Sequence, residues 1–218
     1  MLQQILKELQ TYHARLIAVS KTHPPAAIRE LYDQGQRDFG ENKVQEITEK
    51  QPQLPQDIRW HFIGHLQTNK VRYITPFVNL IHSVDSAKVL KEIDKRAKAD
   101  GRRIDCLLEF KIAEEDSKYG LTLEDARQLL ASEGYRAMQH IRITGVMGMA
   151  TYTENEEQVR TEFRRLKHIF DLLQREYFPD TAHFREISMG MSGDYQLALQ
   201  QGSTMVRIGS LLFGERHY

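Results

Sequence analysis

The residues of this chain best suited to chemistry are a lysine, an arginine and two glycine–serine clusters, each beside a short apolar run. Lys21 follows the run at 16–20, and strand alternation places it on the same side as Ile17 and Val19. If that side faces a barrel interior, loss of water lowers the pKa of an amine and makes it a nucleophile toward carbonyl groups. The alternative is a solvent-facing lysine at the end of a strand.

The two glycine–serine clusters follow late apolar runs. Ser188-Met189-Gly190-Met191-Ser192-Gly193 comes after a strand predicted at 183–187, and Gly209-Ser210 comes after Met205–Ile208. Glycine lets a ligand approach the backbone, whose amides bind phosphate together with serine hydroxyls and a helix start at Gly193-Asp194. Either cluster alone is common in loops, but two after consecutive late strands match the usual phosphate site of a (β/α)8 barrel.

Arg207 lies inside the last apolar run, where a charged side chain is costly without a partner. Two interpretations stay open: it bonds a ligand at the mouth of the fold, or it pairs with a core carboxylate such as Glu41 or Glu109. A lysine that can form an imine, a phosphate cradle and an inward arginine together suit pyridoxal 5′-phosphate. An arginine facing the pyridine nitrogen would keep that nitrogen unprotonated, which makes the ring a weaker electron sink.

The elements that must position these residues alternate along the chain. Eight short apolar runs fall at 16–20, 38–42, 58–63, 79–84, 105–112, 141–150, 183–188 and 205–213. Helical patterns separate them, at 24–35, 42–50, 67–74, 86–101, 122–130 and 154–177. This alternation predicts parallel strands with crossover helices, and the number eight favours a single (β/α)8 barrel over an open doubly wound sheet. The glycine fingerprint of the doubly wound dinucleotide-binding sheet is absent from the sequence.

Composition excludes several classes of protein. The 218 residues carry 30 Lys+Arg and 30 Asp+Glu, so a nucleic-acid binder with a basic face is not expected. Cys106 is the only cysteine and is predicted to be a buried free thiol. No run approaches the length of a membrane span, and the charged residues Lys7 and Glu8 make the N-terminus an amphipathic helix at about 1–13 rather than a signal peptide. We therefore expect one cytoplasmic domain over 1–218, and a monomer because coiled-coil heptads are lacking.

The histidines and the polar loop at 116–120 are weaker candidates. For His61, His65 and His82 we predict hydrogen bonding in the core or at the mouth, because none of them lies on a predicted helix, where an i, i+4 pair could bind a metal. The loop, which contains Lys118, either borders the site or is only a turn.

Six segments together resemble one known family. They are Ile17-Ala18-Val19-Ser20-Lys21-Thr22, Phe39-Gly40-Glu41-Asn42, the stretch from Trp60 to Lys70, Gly145-Val146-Met147-Gly148-Met149, Ser188-Met189-Gly190-Met191-Ser192 and Val206-Arg207-Ile208-Gly209. The chain resembles the YggS/PROSC family of pyridoxal-phosphate-binding proteins, also called pyridoxal phosphate homeostasis proteins, from about residue 16 to 214. The combination of motifs is specific, although each motif alone is not.

The resemblance implies a barrel like the N-terminal domain of alanine racemase, with pyridoxal 5′-phosphate held as a Schiff base on Lys21. It implies phosphate contacts from Ser188, Ser192 and the backbone of Gly209 and Ser210. It places Arg207 near the pyridine nitrogen, with Asn42 and Met147 flanking the ring. Many family members have a lysine where this chain has His23, so the role of a second lysine there is in doubt. Lys118 matches a lysine of the family.

Three functions follow as hypotheses. The first, which the resemblance favours, is a non-catalytic protein that binds pyridoxal phosphate in vitamin B6 and amino-acid or keto-acid homeostasis, with other B6 vitamers and cofactor-dependent client enzymes as partners. The second is a weak pyridoxal-phosphate enzyme, which needs a second base such as His65 or Lys118. The third is a different phosphate-binding barrel enzyme, such as a sugar-phosphate isomerase, which would be colourless.

Overall fold

The apolar runs form a closed barrel of eight parallel strands, as the sequence predicts. The computed structural model describes residues 1–114 and 119–214. Each strand pairs with the next along the chain, and the last strand closes on the first, with Ile17 opposite Arg207. The strands are β1 (Arg15–Val19), β2 (Asp38–Glu41), β3 (Arg59–Phe62), β4 (Leu80–Val84), β5 (Ile104–Phe110), β6 (Ile141–Gly148), β7 (Glu186–Met191) and β8 (Met205–Ile208).

Two strand predictions were wrong in their limits. The seventh strand begins three residues later than predicted, because its pairing with β6 starts at Gly145 opposite Glu186. Ser188 and Met189, which resemble a loop in sequence, are therefore buried inside β7. The last apolar run is divided at Gly209 into a strand and a helix of four residues.

Helices surround the barrel on its outer side. They are α1 (Leu2–Thr11), α2 (Pro25–Asp33), α3 (Val44–Lys50), α4 (Ala87–Ala99), α5 (Leu123–Ala131), α6 (Glu133–Arg136), α7 (Glu156–Tyr177), α8 (Tyr195–Gln200) and α9 (Ser210–Phe213). The helix predicted at 67–74 is a 3-10 segment, Thr68–Tyr73. Ser86 caps α4, as expected from its type and position, by accepting the amide of Val89.

The core has two parts. The larger part lies between the strands and the helices, where the apolar face of α7 is buried through residues such as Phe163 and Leu166. A smaller cluster fills the barrel interior, formed by Ile17, Leu80, Leu107, Met147 and Met205. Cys106 is a buried free thiol, as predicted. Within 1–114 and 119–214, none of the helices is both long and apolar enough to cross a membrane.

Candidate functional site

A cavity of about 520 Å³ opens at the carboxyl end of the barrel. Ligands bind at this end in parallel α/β folds, because the loops after the strands converge there. Six of the eight residues that sequence analysis assigns to cofactor binding line it, namely Lys21, Asn42, Ser192, Arg207, Gly209 and Ser210. The lining also includes residues that the sequence analysis did not assign, among them Met149, Thr151, Tyr152, Thr153 and Asp194.

Lys21 lies two residues after the end of β1, and both of its neighbours in the sequence, Ser20 and Thr22, are held by hydrogen bonds. Ser20 is fully buried and donates its hydroxyl to Glu41 Oε1 at 2.7 Å. The amide of Thr22 donates to Glu46 Oε2 at 2.7 Å. Thr22 has a φ of 69°, which a β-branched residue adopts only under constraint. The backbone that carries Lys21 is therefore held in an unusual conformation by side chains of β2 and α3.

A buried ion-pair network provides these contacts. The Nζ atom of Lys50 donates to Glu41 Oε1 at 2.7 Å, to Glu46 Oε2 at 3.2 Å and to the carbonyl of Ser20 at 3.0 Å. The side chain of Lys50 is 9% exposed, and that of Glu41 is not exposed at all. Burial raises the pKa of Glu41, while the Lys50 ammonium opposes that effect. The network joins Ser20, which precedes Lys21 in the chain, to β2 and α3.

Asn42 extends from β2 into the cavity and depends on a glycine in the next strand–loop segment. A Cβ atom on Gly64 would lie 2.1 Å from the carbonyl oxygen of Asn42. The Oδ1 atom of Asn42 is buried, and no hydrogen-bond partner is present for it in the described part of the chain. This oxygen is therefore an acceptor available to a ligand donor, and Gly64 provides the space that places it there.

The replacement Gly64→Ala tests this arrangement. The added methyl group cannot occupy its position without displacing the backbone of Asn42, so we expect a loss of about 1–3 kcal/mol of stability together with weaker ligand binding. Chemical denaturation and ligand titration measure the two effects. Gly134→Ala is the matched control, because Gly134 lies in α6 outside the cavity and the nearest atom to a Cβ there is Ser132 Oγ at 3.8 Å. Equal behaviour of the two variants would contradict the role of Gly64.

The ends of β7 and β8 present a group of backbone donors to the cavity. The amides of Ser192, Gly193, Ser210 and Leu211 have no hydrogen-bond acceptor within residues 1–114 and 119–214. The amide of Gly209 donates to Ser192 Oγ at 3.3 Å, which ties the two loops together. Adjacent backbone amides of this kind bind phosphate oxygens. The structure thus brings together the two glycine–serine clusters that are 17 residues apart in sequence.

Arg207 is buried at the base of the cavity, with 4% of its surface exposed. Its Nη1 atom donates to the carbonyl and hydroxyl oxygens of Ser188, at 2.8 and 2.7 Å, and its Nη2 atom donates to the carbonyl of Gly148 at 3.1 Å. Burial lowers the pKa of Arg207 to about 10, so it stays a cation at neutral pH. Among the described residues it has no carboxylate within ion-pair distance, and Glu41 pairs with Lys50 instead.

Ser188 and Met147 are not among the residues that line the cavity. Ser188 is fully buried in β7, where its hydroxyl contacts Arg207 and His82. Met147 is 1% exposed and belongs to the apolar cluster in the barrel interior. Both residues lie in the protein interior, where Ser188 contacts the cavity residue Arg207.

The buried Glu109 and the half-buried Asp194 contribute to the electrostatics around Arg207. Burial, with a smaller contribution from Asp85, raises the pKa of Glu109 to about 7, and Arg207 opposes that shift. Burial also raises the pKa of Asp194, although the amide of Met191 donates to its carboxylate. At neutral pH part of Glu109 is therefore protonated, and Asp194 and Glu109 balance the positive charge of Arg207 without a direct ion pair among the described residues.

The histidines form hydrogen bonds in the structure, as the sequence analysis expects. His61 and His82 are buried in the barrel, 2.9 Å apart between Nδ1 and Nε2. His65 lies 3.2 Å from Asp85 and stacks on Tyr119, outside the lining of the cavity. Across the described ranges, no group of three or more His, Cys, Asp or Glu side chains is placed to hold a metal ion. Lys118 lies outside the described residues.

The carboxyl end of the closed barrel thus brings together a lysine amine, a buried arginine and backbone amides that lack an acceptor among the described residues, a set of groups that suits an anionic ligand. A family model described as "Alanine racemase, N-terminal domain" matches residues 2–217. The alanine racemase of Clostridium difficile 630 in complex with cycloserine superimposes with a TM-score of 0.74 at 13% identity, over 98% of this chain and 59% of that one. At that identity the similarity concerns the fold alone.

Relatives of higher identity define the family more narrowly. The pyridoxal phosphate homeostasis protein of Aquifex aeolicus is 44% identical over 206 residues, which is 94% of this chain and 88% of the relative. The protein of that name from Escherichia coli is 35% identical over 93% of this chain and 86% of its own. PipY of Synechococcus elongatus, with PLP bound, superimposes with a TM-score of 0.87 at 36% identity and covers 98% and 100% of the two chains. The chain belongs to the family of pyridoxal phosphate homeostasis proteins, within the alanine racemase N-terminal domain fold.

Proposed function

We propose that this protein binds pyridoxal 5′-phosphate at the carboxyl end of its barrel and acts in vitamin B6 and amino-acid or keto-acid homeostasis without catalysing a reaction of its own. One observation carries the proposal: a lysine amine, a buried arginine and backbone amides without an acceptor in the described part of the chain line the same cavity. A relative of 36% identity has been solved with PLP bound, and curated relatives are named for pyridoxal phosphate homeostasis.

The residues of the cavity fit each part of this cofactor. The amides that follow β7 and β8 match a phosphate group, and the buried Oδ1 of Asn42 matches a hydroxyl donor. Arg207 offers N–H donors, which match an unprotonated pyridine nitrogen. Pyridoxal phosphate supplies an aldehyde, and the amine of Lys21 would attack it to form an imine with release of one water molecule. We assign these roles to Lys21, Asn42, Ser192, Arg207, Gly209 and Ser210. To Ser188 and Met147, which do not line the cavity, we assign a supporting role in the interior behind it.

The proposal of a non-catalytic role rests on the character of the site residues. Racemisation needs an acid or base on each face of the bound substrate. His65, which the sequence offers as such a base, instead contacts Asp85 and Tyr119 beside another cleft. A binding site that holds its ligand through a reversible imine and a phosphate cradle suits storage or delivery of the cofactor.

We further propose that the chain works as one domain. Glu8 of α1 accepts hydrogen bonds from Tyr195 and Gln196 of α8, so the N-terminal helix is tied to the end of the barrel that follows β7. The apolar face of α1 is buried through Leu2, Ile5 and Leu9. The cytoplasmic location and the monomeric state stay predictions.

Chemical trapping tests the proposed function. Purified protein incubated with pyridoxal phosphate and then freed of unbound cofactor by gel filtration is expected to stay yellow, to lose that colour on borohydride reduction, and to retain one reduced adduct on the peptide that contains Lys21. Peptide mass spectrometry identifies the site. The matched variants are Lys21→Arg, which should carry no adduct, and Lys43→Arg, which removes an exposed lysine near the mouth and should label normally. Protein that is colourless after gel filtration, or an adduct on another lysine, would overturn the assignment.

A further inference from the structure

A continuous chain of hydrogen bonds crosses the interior of the barrel. Nε2 of His61 lies 3.0 Å from Asp38 Oδ1, and Nδ1 of His61 lies 2.9 Å from Nε2 of His82. Nδ1 of His82 lies 2.9 Å from Ser188 Oγ, which accepts from Arg207 Nη1 at 2.7 Å. The chain starts at β2, passes β3, β4 and β7, and ends at β8. It connects a second cavity, at the amino end of the barrel, with the base of the proposed cofactor cavity.

The two terminal residues of this hydrogen-bond chain determine which atom donates in each of its bonds. At one end, Asp38 is an ionised carboxylate and can only accept hydrogen bonds. It stays ionised because the Arg59 guanidinium and His61 hold its pKa far below the usual range, despite its burial. Arg207 ends it as a guanidinium, which only donates. Neutral His61 must then donate from Nε2 and accept at Nδ1, and His82 must do the same. Ser188 donates to His82, so its remaining lone pairs face Arg207.

Every link of this chain is buried. His61 is 2% exposed, and His82 and Ser188 are not exposed at all. Burial lowers the pKa of His61 although Asp38 opposes that shift, and burial together with His61, Arg207 and Arg15 lowers the pKa of His82, so both rings are neutral at neutral pH. In surroundings of low polarity, consecutive hydrogen bonds that donate in the same direction strengthen one another. Leaving one of these buried groups without a partner costs stability.

We propose that Asp38, His61 and His82 are positioning residues that act through Ser188 on Arg207. In this hydrogen-bond chain the Ser188 hydroxyl donates its proton to His82. The Ser188 oxygen can then only accept the hydrogen bond from Arg207. The guanidinium is thereby oriented at the base of the cavity by neutral oxygens rather than by a carboxylate. The part of this inference that concerns the cofactor rests on the proposed function, since a donor aimed in this way would hold the pyridine nitrogen unprotonated.

Histidine NMR of the cofactor-free protein tests the direction of the chain. In ¹⁵N-labelled protein, two-bond ¹H–¹⁵N correlations distinguish the two neutral ring forms from each other and from the cation. We expect His61 and His82 both to be protonated at Nε2 and not at Nδ1. A ring protonated at Nδ1, or a cationic ring, would overturn the proposed direction whether or not the protein binds pyridoxal phosphate.

The effect on the cofactor is tested with two matched carboxylate variants. Asp38→Asn removes the acceptor-only end of the chain, because an amide can also donate. Asp105→Asn is the control, because Asp105 also pairs with an arginine through two bonds, to Arg142 at 2.7 and 2.8 Å, but takes no part in the chain. We expect the cofactor to dissociate about tenfold faster from Asp38→Asn, with a shifted absorption band, and within about twofold of the native rate from Asp105→Asn.

Ser188→Ala provides a second variant at the other end of the chain, in case Asp38→Asn folds poorly. It removes the hydroxyl and leaves Arg207 its bonds to the carbonyls of Ser188 and Gly148. Dissociation should again be about tenfold faster, with the same band shift. Native rates and spectra in the folded variants would overturn the positioning role. If the native protein takes up no pyridoxal phosphate, the proposed function fails, and the histidine spectra still decide the direction of the chain.

Discussion

Replacing Lys50 by methionine is expected to lower the free energy of unfolding by about 3–5 kcal/mol, because it leaves a buried carboxylate without its counter-charge. The Glu41 side chain has no exposed surface, and Lys50 is its cationic partner at 2.7 Å. Oε2 of Glu41 already lacks a hydrogen-bond partner among the described residues. The substitution also removes a hydrogen bond to the carbonyl of Ser20, which directly precedes Lys21. Chemical denaturation measures the loss.

Two comparisons separate charge burial from the loss of a long side chain. Lys167→Met breaks an ion pair with Asp171 whose side chains are 40% and 42% exposed, so its cost should stay below about 1 kcal/mol. The double variant Lys50→Met with Glu41→Gln removes the stranded charge and should recover part of the stability. A double variant as unstable as the sum of both single variants would mean that packing, not charge, sets the cost.

Removing the ionisable group at Glu109 is expected to change how stability depends on pH. Burial raises the pKa of Glu109 from an ordinary 4.5 to about 7. Between these values the folded protein binds a proton that the unfolded chain releases, so the native state loses stability as pH rises through this window. Below pH 4.5 the protonated Glu109 therefore contributes about 3 kcal/mol to the free energy of unfolding, and this contribution is lost above pH 7.

The variant Glu109→Gln keeps the shape of the side chain and cannot ionise. Its stability should match the native protein near pH 4.5 and exceed it at pH 8, as measured by denaturation at a series of pH values. Glu30→Gln, at an exposed position of α2, is the control and should leave the native pH dependence unchanged. If Glu109→Gln were less stable than the native protein at pH 8, ionised Glu109 would instead be stabilised, with Arg207 as the nearest cation to provide it.

Much of the fold could be predicted because each strand and helix carries its own periodicity. The eight apolar runs and the Ser86 cap are local patterns, and the number of runs leads to a closed barrel. The limits of β7 could not be predicted, because serine and glycine at 188–190 resemble a loop. Their burial comes from the pairing of β7 with β6 and β8. A strand that is weak by composition is thus defined by its neighbours.

The site was predicted in part for the same reason. Lys21, Asn42, Arg207 and the glycine–serine clusters follow or interrupt strands, and the carboxyl ends of parallel strands must meet, so their convergence follows from the fold. Ser188 differs because its position inside β7 turns the hydroxyl toward Arg207 and His82. Glu46 and Lys50 belong to a helix with an ordinary polar pattern, and the sequence has no signal that they hold the backbone around Lys21.

The sequence by itself determined the barrel, the end of it that binds a ligand and the residue types that converge there, because those depend on local periodicity and on the order of strands. Only the tertiary structure decided which polar residues support them. The ion pairs of Lys50 and the chain from Asp38 to Arg207 join strands that are distant in sequence. Buried polar groups must find partners wherever the closed barrel brings them together, and that closure is not encoded in any one segment.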